Sequence, residues 1–345
     1  MVGGVARGSL TYPDAMTGND SPTVRLSVAL CPYNSERFVE RQLLSILDQD
    51  LPVDEVVIGD DGSTDGTLER ISAVAAGHPR GDVVRIAFTE RSGGVVQNFS
   101  RTLAACTGEL IALSDHDDMW DPAKTATLVP LLSGARHPAM IFTDARIIDD
   151  HNAFSGEHLF ASYGVTEEEL DAIADGRGAD VLIRRNIATG ATAMLTRDLL
   201  DVALPIPELF VHDEWLAFLA ASLGTLMVDR TPLIDYRVHS TNQIGIPPQT
   251  LTGQARVALT GRRERYLTLR YRAEALHARL TACDAPREVL ALVADKVAFE
   301  TERSTMPWFW PARLPGILRR YRQGAYGRFT HRPSLERWRD LAQSM

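Results

Sequence analysis

The chain has 345 residues, more than most compact single domains, so we expect one large domain with an appendage or two domains. Its 45% hydrophobic and 23% charged residues are typical of a globular protein with a sizeable core. The net charge of −9 argues against a general nucleic-acid binder, and we expect no nucleic-acid partner.

Residues 1–22 contain no apolar segment like that of a signal peptide, so we expect a flexible tail. No apolar run reaches the length of a membrane span. The three cysteines lack the spacing of a zinc site or a disulfide framework, which favours a reducing compartment. Together these features predict a cytoplasmic protein.

Residues 23–249 are predicted to form an α/β domain. Five apolar stretches read as strands: "VRLSVAL", "DEVVIGD", "VVRIAF", "LIALS" and "PAMIFTDARII". Helical patterns separate the first four, which indicates a mostly parallel sheet. Because ligands collect at the carboxyl ends of parallel strands, we expect the polar stretches "CPYNSE", "DDGSTD" and "SDHDD" to meet at one edge. From about Asp150 to Asp180 the pattern weakens, and we expect a mobile loop with a short helix.

The stretch "GELIALSDHDDMWDPAKT" places four aspartates within seven residues directly after an apolar strand. Asp121 precedes a proline and a helical pattern, so a helix N-cap explains it. Asp115, Asp117 and Asp118 have no such explanation. Oxygen ligands at this density suit Mg²⁺ or Mn²⁺ shared with substrate phosphates, and the alternative is a solvated acidic turn.

The stretch "VVIGDDGSTDGTLER" ends a strand with paired aspartates. Asp60 could contact a nucleobase or ribose, with Gly62 permitting a tight turn. The alternative is a turn whose Asp and Gly residues serve only its own backbone.

These motifs occur together and in order over about residues 24–245, and "GATAMLTRDLL", "HDEWLAFLAASLG" and "DYRVHSTNQIG" extend them. The chain thereby resembles the inverting glycosyltransferases of family 2, and its rhamnosyltransferase-like branch in particular. The resemblance implies a GT-A fold, which is Rossmann-like with a mostly parallel sheet. It further implies metal-dependent transfer of a sugar, such as rhamnose, from a nucleotide-diphosphate donor to a glycan or lipid-linked acceptor in cell-surface polysaccharide synthesis.

The resemblance also implies roles for individual residues. Asp213 in "HDEW" would be the catalytic base, although it could also cap the helix that follows. Asp115 and Asp117 match the DxD motif and would bind the metal together with His239 in "YRVH", whose alternative is an ordinary strand-end histidine. The residues implied to bind the nucleotide sugar are Pro32, Tyr33, Asn34, Glu36, Asp60, Asp61, Gly62, Asn98, Asp115 and His116.

Three positions depart from the family's pattern. Pro32 stands where a threonine is common, which removes a hydroxyl contact. Gln97 precedes Asn98 where a basic residue is frequent, which puts one phosphate or sugar contact in doubt. Glu214 replaces a commoner aromatic residue, which we expect to alter the acceptor side.

Residues 250–345 are predicted to be helical and basic, with 18 Lys and Arg against 9 Asp and Glu, whereas the first 249 residues hold 18 against 36. Within this region, residues 307–340 mix aromatic residues with arginines. Such a composition suits peripheral contact with the inner membrane face. The alternative is that these aromatic side chains pack against the catalytic domain.

Two other functions compete with sugar transfer. A nucleotidyltransferase would need a glycine-rich phosphate loop with a basic residue near the first strand, and "CPYNSERF" lacks the glycines. A non-catalytic sugar-nucleotide binder would bind the donor without turnover, but the candidate metal and base carboxylates are all present. A dinucleotide-dependent dehydrogenase is disfavoured because no GxGxxG follows the first strand.

Overall fold

A computed structural model of the protein describes residues 24–238 and 262–342, with side chains in the second segment described from residue 264. The predicted tail of residues 1–22, the predicted ligand His239 and the predicted domain boundary at residue 249 lie outside the described residues.

The described residues form a nine-stranded sheet with the order β3-β2-β1-β4-β8-β6-β9-β5, and β7 pairs with β6. The first four strands in this order are parallel, and β8 runs antiparallel to both β4 and β6. The strands are β1 (Leu26–Leu30), β2 (Glu55–Gly59), β3 (Val84–Phe88), β4 (Leu110–Ser114), β5 (Met119–Trp120), β6 (Ala139–Ile148), β7 (Phe154–His158), β8 (Met194–Thr196) and β9 (Thr225–Arg237).

Helices cover both faces of this sheet and continue beyond it. Those up to β9 are α1 (Val39–Leu47), α2 (Thr67–Gly77), α3 (Val95–Ala105), α4 (Lys124–Ser133), α5 (Leu159–Ser162), α6 (Glu167–Ala174), α7 (Gly178–Leu182), α8 (Arg197–Ala203) and α9 (His212–Leu223). The later ones are α10 (Arg262–Ala282), α11 (Arg287–Ser304), α12 (Leu314–Arg322), α13 (Ala325–Phe329) and α14 (Pro333–Ala342).

The central strands are buried on both faces, which explains their continuous apolar sequence. Val28 and Leu30 pack into the core on one side of the sheet, and Ala29 between them packs into the core on the other side. Every residue of β1, β2 and β4 is buried. These strands contain one charged residue, Glu55 at the start of β2, and the predicted polar loops lie at their carboxyl ends.

All five predicted strands are present, with ends within two residues of the predicted ones. The expectation of a short helix within residues 150–180 is confirmed, but the segment also forms strand β7, and it contains three short helices, α5 to α7, in place of a long loop. Four of the five β7 side chains are exposed, so the strand has no apolar alternation to reveal it. Helix α6 begins with a capping box formed by Thr166 and Glu169.

The predicted helical character of the C-terminal region is confirmed for residues 262–342, and these helices share a core with the α/β domain. Leu276 and Leu280 of α10 belong to the same apolar cluster as Trp215 of α9. Arg279 donates to the backbone oxygens of Val202 (2.6 Å) and Leu204 (3.1 Å). Among the described residues, no helix combines the length and apolar character that crossing a bilayer requires.

A buried charge network joins α11 to α14. The guanidinium of Arg303 is 1% exposed and contacts Glu300 at 3.2 Å, Asp340 at 3.0 Å and Glu336. The hydroxyls of Tyr266 and Tyr326 donate to the two oxygens of Asp340, at 2.6 and 2.5 Å. Because Arg303 contacts three buried acids, which also pair with Arg265, Lys296 and Arg320, these helices have little freedom to shift against each other.

We expect Arg303→Met to lower the free energy of unfolding by about 3–5 kcal/mol, because it leaves buried carboxylates without their cation. Chemical denaturation at neutral pH measures the change. Arg328→Met is the matched control: it removes an exposed ion pair with Asp295 at 2.8 Å, and its loss should stay below about 1 kcal/mol. Equal losses in the two variants would show that the network does not hold the helices together.

Candidate active site

The loops after β1 and β2 are hydrogen-bonded to each other, as their position at the sheet edge predicts. The backbone N–H of Asn34 donates to the hydroxyl of Ser63 (2.9 Å), and that of Asp61 donates to the backbone oxygen of Pro32 (3.1 Å). Asn34 has a φ of 47° and Gly62 a φ of 77°, so both loops turn through the left-handed region. The expectation that Gly62 permits a tight turn is confirmed.

Three residues of the loop after β1 have side chains that are at least partly exposed and so accessible to a ligand. Asn34 and Glu36 are exposed, and Tyr33 is half-buried with its hydroxyl accepting from Arg91 at 2.8 Å. Pro32 is buried and contributes through its backbone oxygen. These positions are compatible with the predicted nucleotide pocket, and the contacts themselves stay predictions.

The carboxylates of Asp60 and Asp61 accept hydrogen bonds from other loop residues. Asp60 is completely buried, and its carboxylate accepts from the N–H of Gly62 (3.0 Å) and from the N–H and hydroxyl of Ser63 (2.8 and 2.5 Å). Asp61 accepts from the N–H and hydroxyl of Ser92, at 2.5 and 2.6 Å. Asp60 therefore shapes its own turn, which is the alternative interpretation, and its contact with a base stays a prediction.

Asn98 is engaged within the protein, and its contact with the donor stays a prediction. Asn98 is 2% exposed, its amide nitrogen donates to the backbone oxygen of Gly59 at 2.5 Å, and its amide oxygen accepts from Arg101 at 2.9 Å. Asn98 thus ties α3 to the end of β2. Arg101, one helical turn later, lies 3.9 Å from the Asp61 carboxylate and so supplies a positive charge near this loop.

The acidic cluster after β4 is not a solvated turn. Asp117 and Asp118 are 7% and 2% exposed, while Asp115 and His116 are half-buried. Burial, with the nearby charge of Asp117, raises the pKa of Asp115 to about 6, and the same two causes raise the pKa of Asp118 well above its usual range. A positive charge is needed here to keep these groups ionised together.

One such charge is Lys124, which the sequence interpretation missed. It is completely buried, its Nζ donates to the backbone oxygen of Ala191 at 2.9 Å, and the Nζ lies 3.8 Å from the ring centre of Trp120. Burial lowers its pKa to about 7, and the charges of Asp118 and Asp115 oppose that shift. The signal was present in the sequence, since Lys124 shares its helix face with the apolar Leu128 at i+4.

The second charge is Arg237, the last residue of β9, which is 1% exposed. Its backbone N–H donates to the carboxylate of Asp118 (2.9 Å), and its Nε donates to the backbone oxygen of Asp117 (2.7 Å). A further nitrogen donates to the backbone oxygen of Asp149 at 2.7 Å. The "YRVH" segment therefore fixes the shape of the acidic turn through Arg237.

The carboxylates fit a divalent cation that the substrate helps to hold. No group of three His, Cys, Asp or Glu side chains in the described residues forms a complete metal site. Mg²⁺, however, is often held by one or two carboxylates, with substrate phosphates and water completing its shell. One buried oxygen of Asp118 has no hydrogen-bond partner among the described residues, as expected where a cation is to be accommodated.

Asp213 is the second residue of α9, not its N-cap, which is Val211. Its carboxylate accepts from the side-chain amide of Asn186 and from the backbone N–H of Gly190, both at 3.1 Å. Burial raises its pKa to about 7, and the backbone hydrogen bonds from Gly190 and Glu214 limit the shift. A half-buried carboxyl group with such a pKa can exchange a proton near neutral pH.

The turn Gly190–Thr192 connects this carboxylate to the acidic cluster. Its first residue donates to Asp213, and its second accepts from Lys124. A Cβ on Gly190 would lie 2.6 Å from the ring of His212, which is buried and stacked on Phe99 at 3.9 Å. Burial lowers the pKa of His212 to about 3, so the ring is neutral and packs as part of the core.

Glu214, the departure next to the candidate base, forms an ion pair with Arg272 of α10. The same guanidinium lies 4.6 Å from the ring centre of Phe210. The C-terminal helices therefore reach the residue beside the candidate base.

Comparison with known proteins places this architecture in a class. The crystal structure of S. aureus TarS 1-349 in complex with UDP-GlcNAc has a TM-score of 0.56 to this protein, with 16% sequence identity, and covers 92% of this chain and 81% of that chain. The fold is that of a GT-A glycosyltransferase domain with a C-terminal helical extension.

The sequence comparisons agree with this fold. Residues 27–197 match the family model "Glycosyl transferase family 2". An uncharacterized protein of Mycobacterium tuberculosis is 35% identical over 38% of this chain, and the match spans only 38% of that relative's length. The dTDP-rhamnosyl transferase RfbG of Shigella flexneri is 24% identical over 63% of this chain and 73% of its own length.

Proposed function

We propose that the protein is a metal-dependent, inverting glycosyltransferase that moves a sugar from a nucleotide diphosphate to an acceptor hydroxyl. One observation carries this proposal. A carboxylate with a pKa near neutrality, Asp213, is joined through the turn Gly190–Thr192 and Lys124 to a buried cluster of acids that requires a cation.

In the proposed reaction Asp213 takes the proton of the acceptor hydroxyl as its oxygen attacks the anomeric carbon. The bond from that carbon to the donor phosphate breaks, and its electron pair leaves with the nucleoside diphosphate. Direct displacement by one nucleophile inverts the anomeric configuration. The hydrogen bonds from Asn186 and Gly190 hold the Asp213 carboxylate in place for this step.

Asp115 and Asp117, with His239 beyond the described residues, would hold Mg²⁺ or Mn²⁺ against the donor diphosphate. The ion's chemistry, when it is bound, is to offset the charge that develops on the leaving diphosphate. Lys124 and Arg237 keep the acidic turn compact around that position. Tyr33, Asn34 and Glu36 would line the nucleotide pocket together with Asp60, Asp61 and Gly62.

Two relatives guide the choice of donors. TarS was crystallised with UDP-GlcNAc, and RfbG is named a dTDP-rhamnosyl transferase. We propose a rhamnosyl donor first and UDP-linked hexoses second, with a glycan or lipid-linked acceptor of cell-surface polysaccharide synthesis. The three cysteines are free thiols, which supports the proposed cytoplasmic location.

The test is a panel of nucleotide sugars, with and without Mn²⁺, measured by calorimetric binding and by release of nucleoside diphosphate. We expect one donor to bind only with the metal and to release its diphosphate when an acceptor is present. Release of pyrophosphate from a nucleoside triphosphate and sugar phosphate would instead identify a nucleotidyltransferase. Donor binding without any release, across a broad acceptor set, would identify a non-catalytic binder.

Asp117→Ala should abolish the metal-dependent part of donor binding, because it removes a carboxylate proposed to hold the ion. Calorimetric titration of the donor with Mn²⁺ and with a chelator measures that part. Asp201→Ala, at an exposed position on α8, is the control and should bind like the wild type. Undiminished metal dependence in Asp117→Ala would move the metal site away from the cluster.

Asp213→Asn should retain donor affinity and lower kcat by at least about a hundredfold, because the amide cannot accept the hydroxyl proton. The amide preserves the shape of the side chain, so donor binding controls for folding. Transfer at the wild-type rate would place the base elsewhere.

The kcat at saturating donor should rise with pH through about 7 and then level off. Asp213 must be ionised to accept the proton, and burial holds its pKa at about 7, so the active fraction grows as pH increases. The groups that set this pKa are Asp115 and Glu214, which raise it, and the N–H donors of Gly190 and Glu214, which lower it. The residual rate of Asp213→Asn should lack this rise; a flat wild-type profile would contradict the assignment.

A further inference from the structure

The C-terminal helices expose an unusual set of large apolar side chains. Seven of the thirteen exposed large hydrophobic residues in the described chain fall between residues 308 and 338. Trp308 and Trp338 are 74% and 63% exposed, so the alternative interpretation, in which the aromatic side chains pack against the catalytic domain, does not hold for these rings. We call this set the aromatic face: Trp308, Phe309, Trp310, Leu314, Leu318, Tyr321 and Trp338.

The aromatic face is held in a fixed shape. On α12, Leu314, Leu318 and Tyr321 form one outward stripe at i, i+4 and i+7, while Ile317 and Arg320 point inward and are buried. Inward-facing residues thus anchor the helix while the outward stripe stays open.

Neighbouring segments are fastened to the same unit. Arg337 of α14 stacks over the ring of Tyr321 at 4.4 Å, next to Trp338. Arg313 donates to the backbone oxygens of Pro307 (2.7 Å) and Leu341 (3.2 Å), which fastens the turn bearing the first two tryptophans to α14. Because the buried network around Arg303 joins α14 to α11, the exposed rings belong to a folded surface.

The surface charges contributed by residues 307–340 themselves have one sign. Residues 307–340 contain eight arginines and two acids, and both acids, Glu336 and Asp340, are buried against Arg303. The charges left at the surface are therefore arginines. Arg322 and Arg332 are exposed and form no ion pair with any described residue.

We propose that the aromatic face docks on the headgroup region of an anionic lipid bilayer. Trp and Tyr rings favour that region, and unpaired arginines are attracted to anionic lipid. A two-fold dimer through this face would bring two cationic surfaces together, which disfavours a second copy as the partner. The inference goes beyond the proposed transfer reaction, and it can fail while sugar transfer is confirmed.

The test is co-sedimentation of the full chain with vesicles of phosphatidylcholine alone or mixed with phosphatidylglycerol. We expect binding to the anionic vesicles that weakens as salt increases, because surface charge attraction is screened. Arg322→Gln combined with Arg332→Gln should reduce partitioning by roughly thirtyfold, since each surface arginine contributes about a factor of five. Trp308→Ala combined with Trp338→Ala should reduce it by roughly tenfold or more.

Matched control variants test whether binding requires the aromatic face or only any exposed ring or charge. Phe154→Ala removes a ring that is 52% exposed on β7, and Arg136→Gln removes an exposed charge. Neither residue belongs to the aromatic face, so both variants should bind vesicles like the wild type. The tested side chains are exposed, and thermal unfolding checks that every variant folds.

Three outcomes would overturn the proposal. The first is no binding to anionic vesicles at low salt. The second is loss of binding in the arginine variant but not in the tryptophan variant, which would indicate a soluble polyanion. The third is a concentration-dependent dimer that the tryptophan variant abolishes, which would indicate a second copy.

Discussion

The structure depends on three crowded carboxylates at the end of one strand: Asp115, which is half-buried, and Asp117 and Asp118, which are buried. Water screens them poorly there, so Asp117 raises the pKa of both Asp115 and Asp118, and Asp115 raises that of Asp118. Two buried cations from distant parts of the chain, Lys124 and Arg237, oppose this repulsion. Neither is a surface ion pair that could be lost at little cost, because removal of one buried partner leaves the other charge uncompensated.

The same constraint organises the candidate base. Lys124 can approach the acids only if its own N–H groups are also satisfied, and the backbone oxygen of Ala191 does this. That places the turn Gly190–Thr192 beside the acidic cluster, and the N–H of Gly190 then faces Asp213. The turn that accepts the hydrogen bond of the buried Lys124 therefore also supplies a hydrogen-bond donor to Asp213, the group proposed to take the acceptor proton.

The sequence predicted what depends on local pattern. The buried strands, the meeting of three polar loops and the burial-prone acids follow from apolar runs and their ends, while Asp213 came from the family resemblance. Lys124 and Arg237 were missed because their partners lie in distant segments, which no local pattern encodes. Likewise, β7 is mostly exposed and is defined by pairing with β6, so its own residues do not reveal it.

The C-terminal helices also bury acids against a cation, but here the result is a positively charged surface. Three of their acids, Glu300, Glu336 and Asp340, are drawn inward to Arg303, so arginines and aromatic rings make up the surface between residues 307 and 340. The ion pair between Arg272 and Glu214 then links these helices to the residue beside the candidate base. A surface that fixes the C-terminal helices on a bilayer would therefore also fix the orientation of the acceptor side of the site. A lipid-linked acceptor would meet the base in one orientation, which is what direct displacement at a single carbon requires.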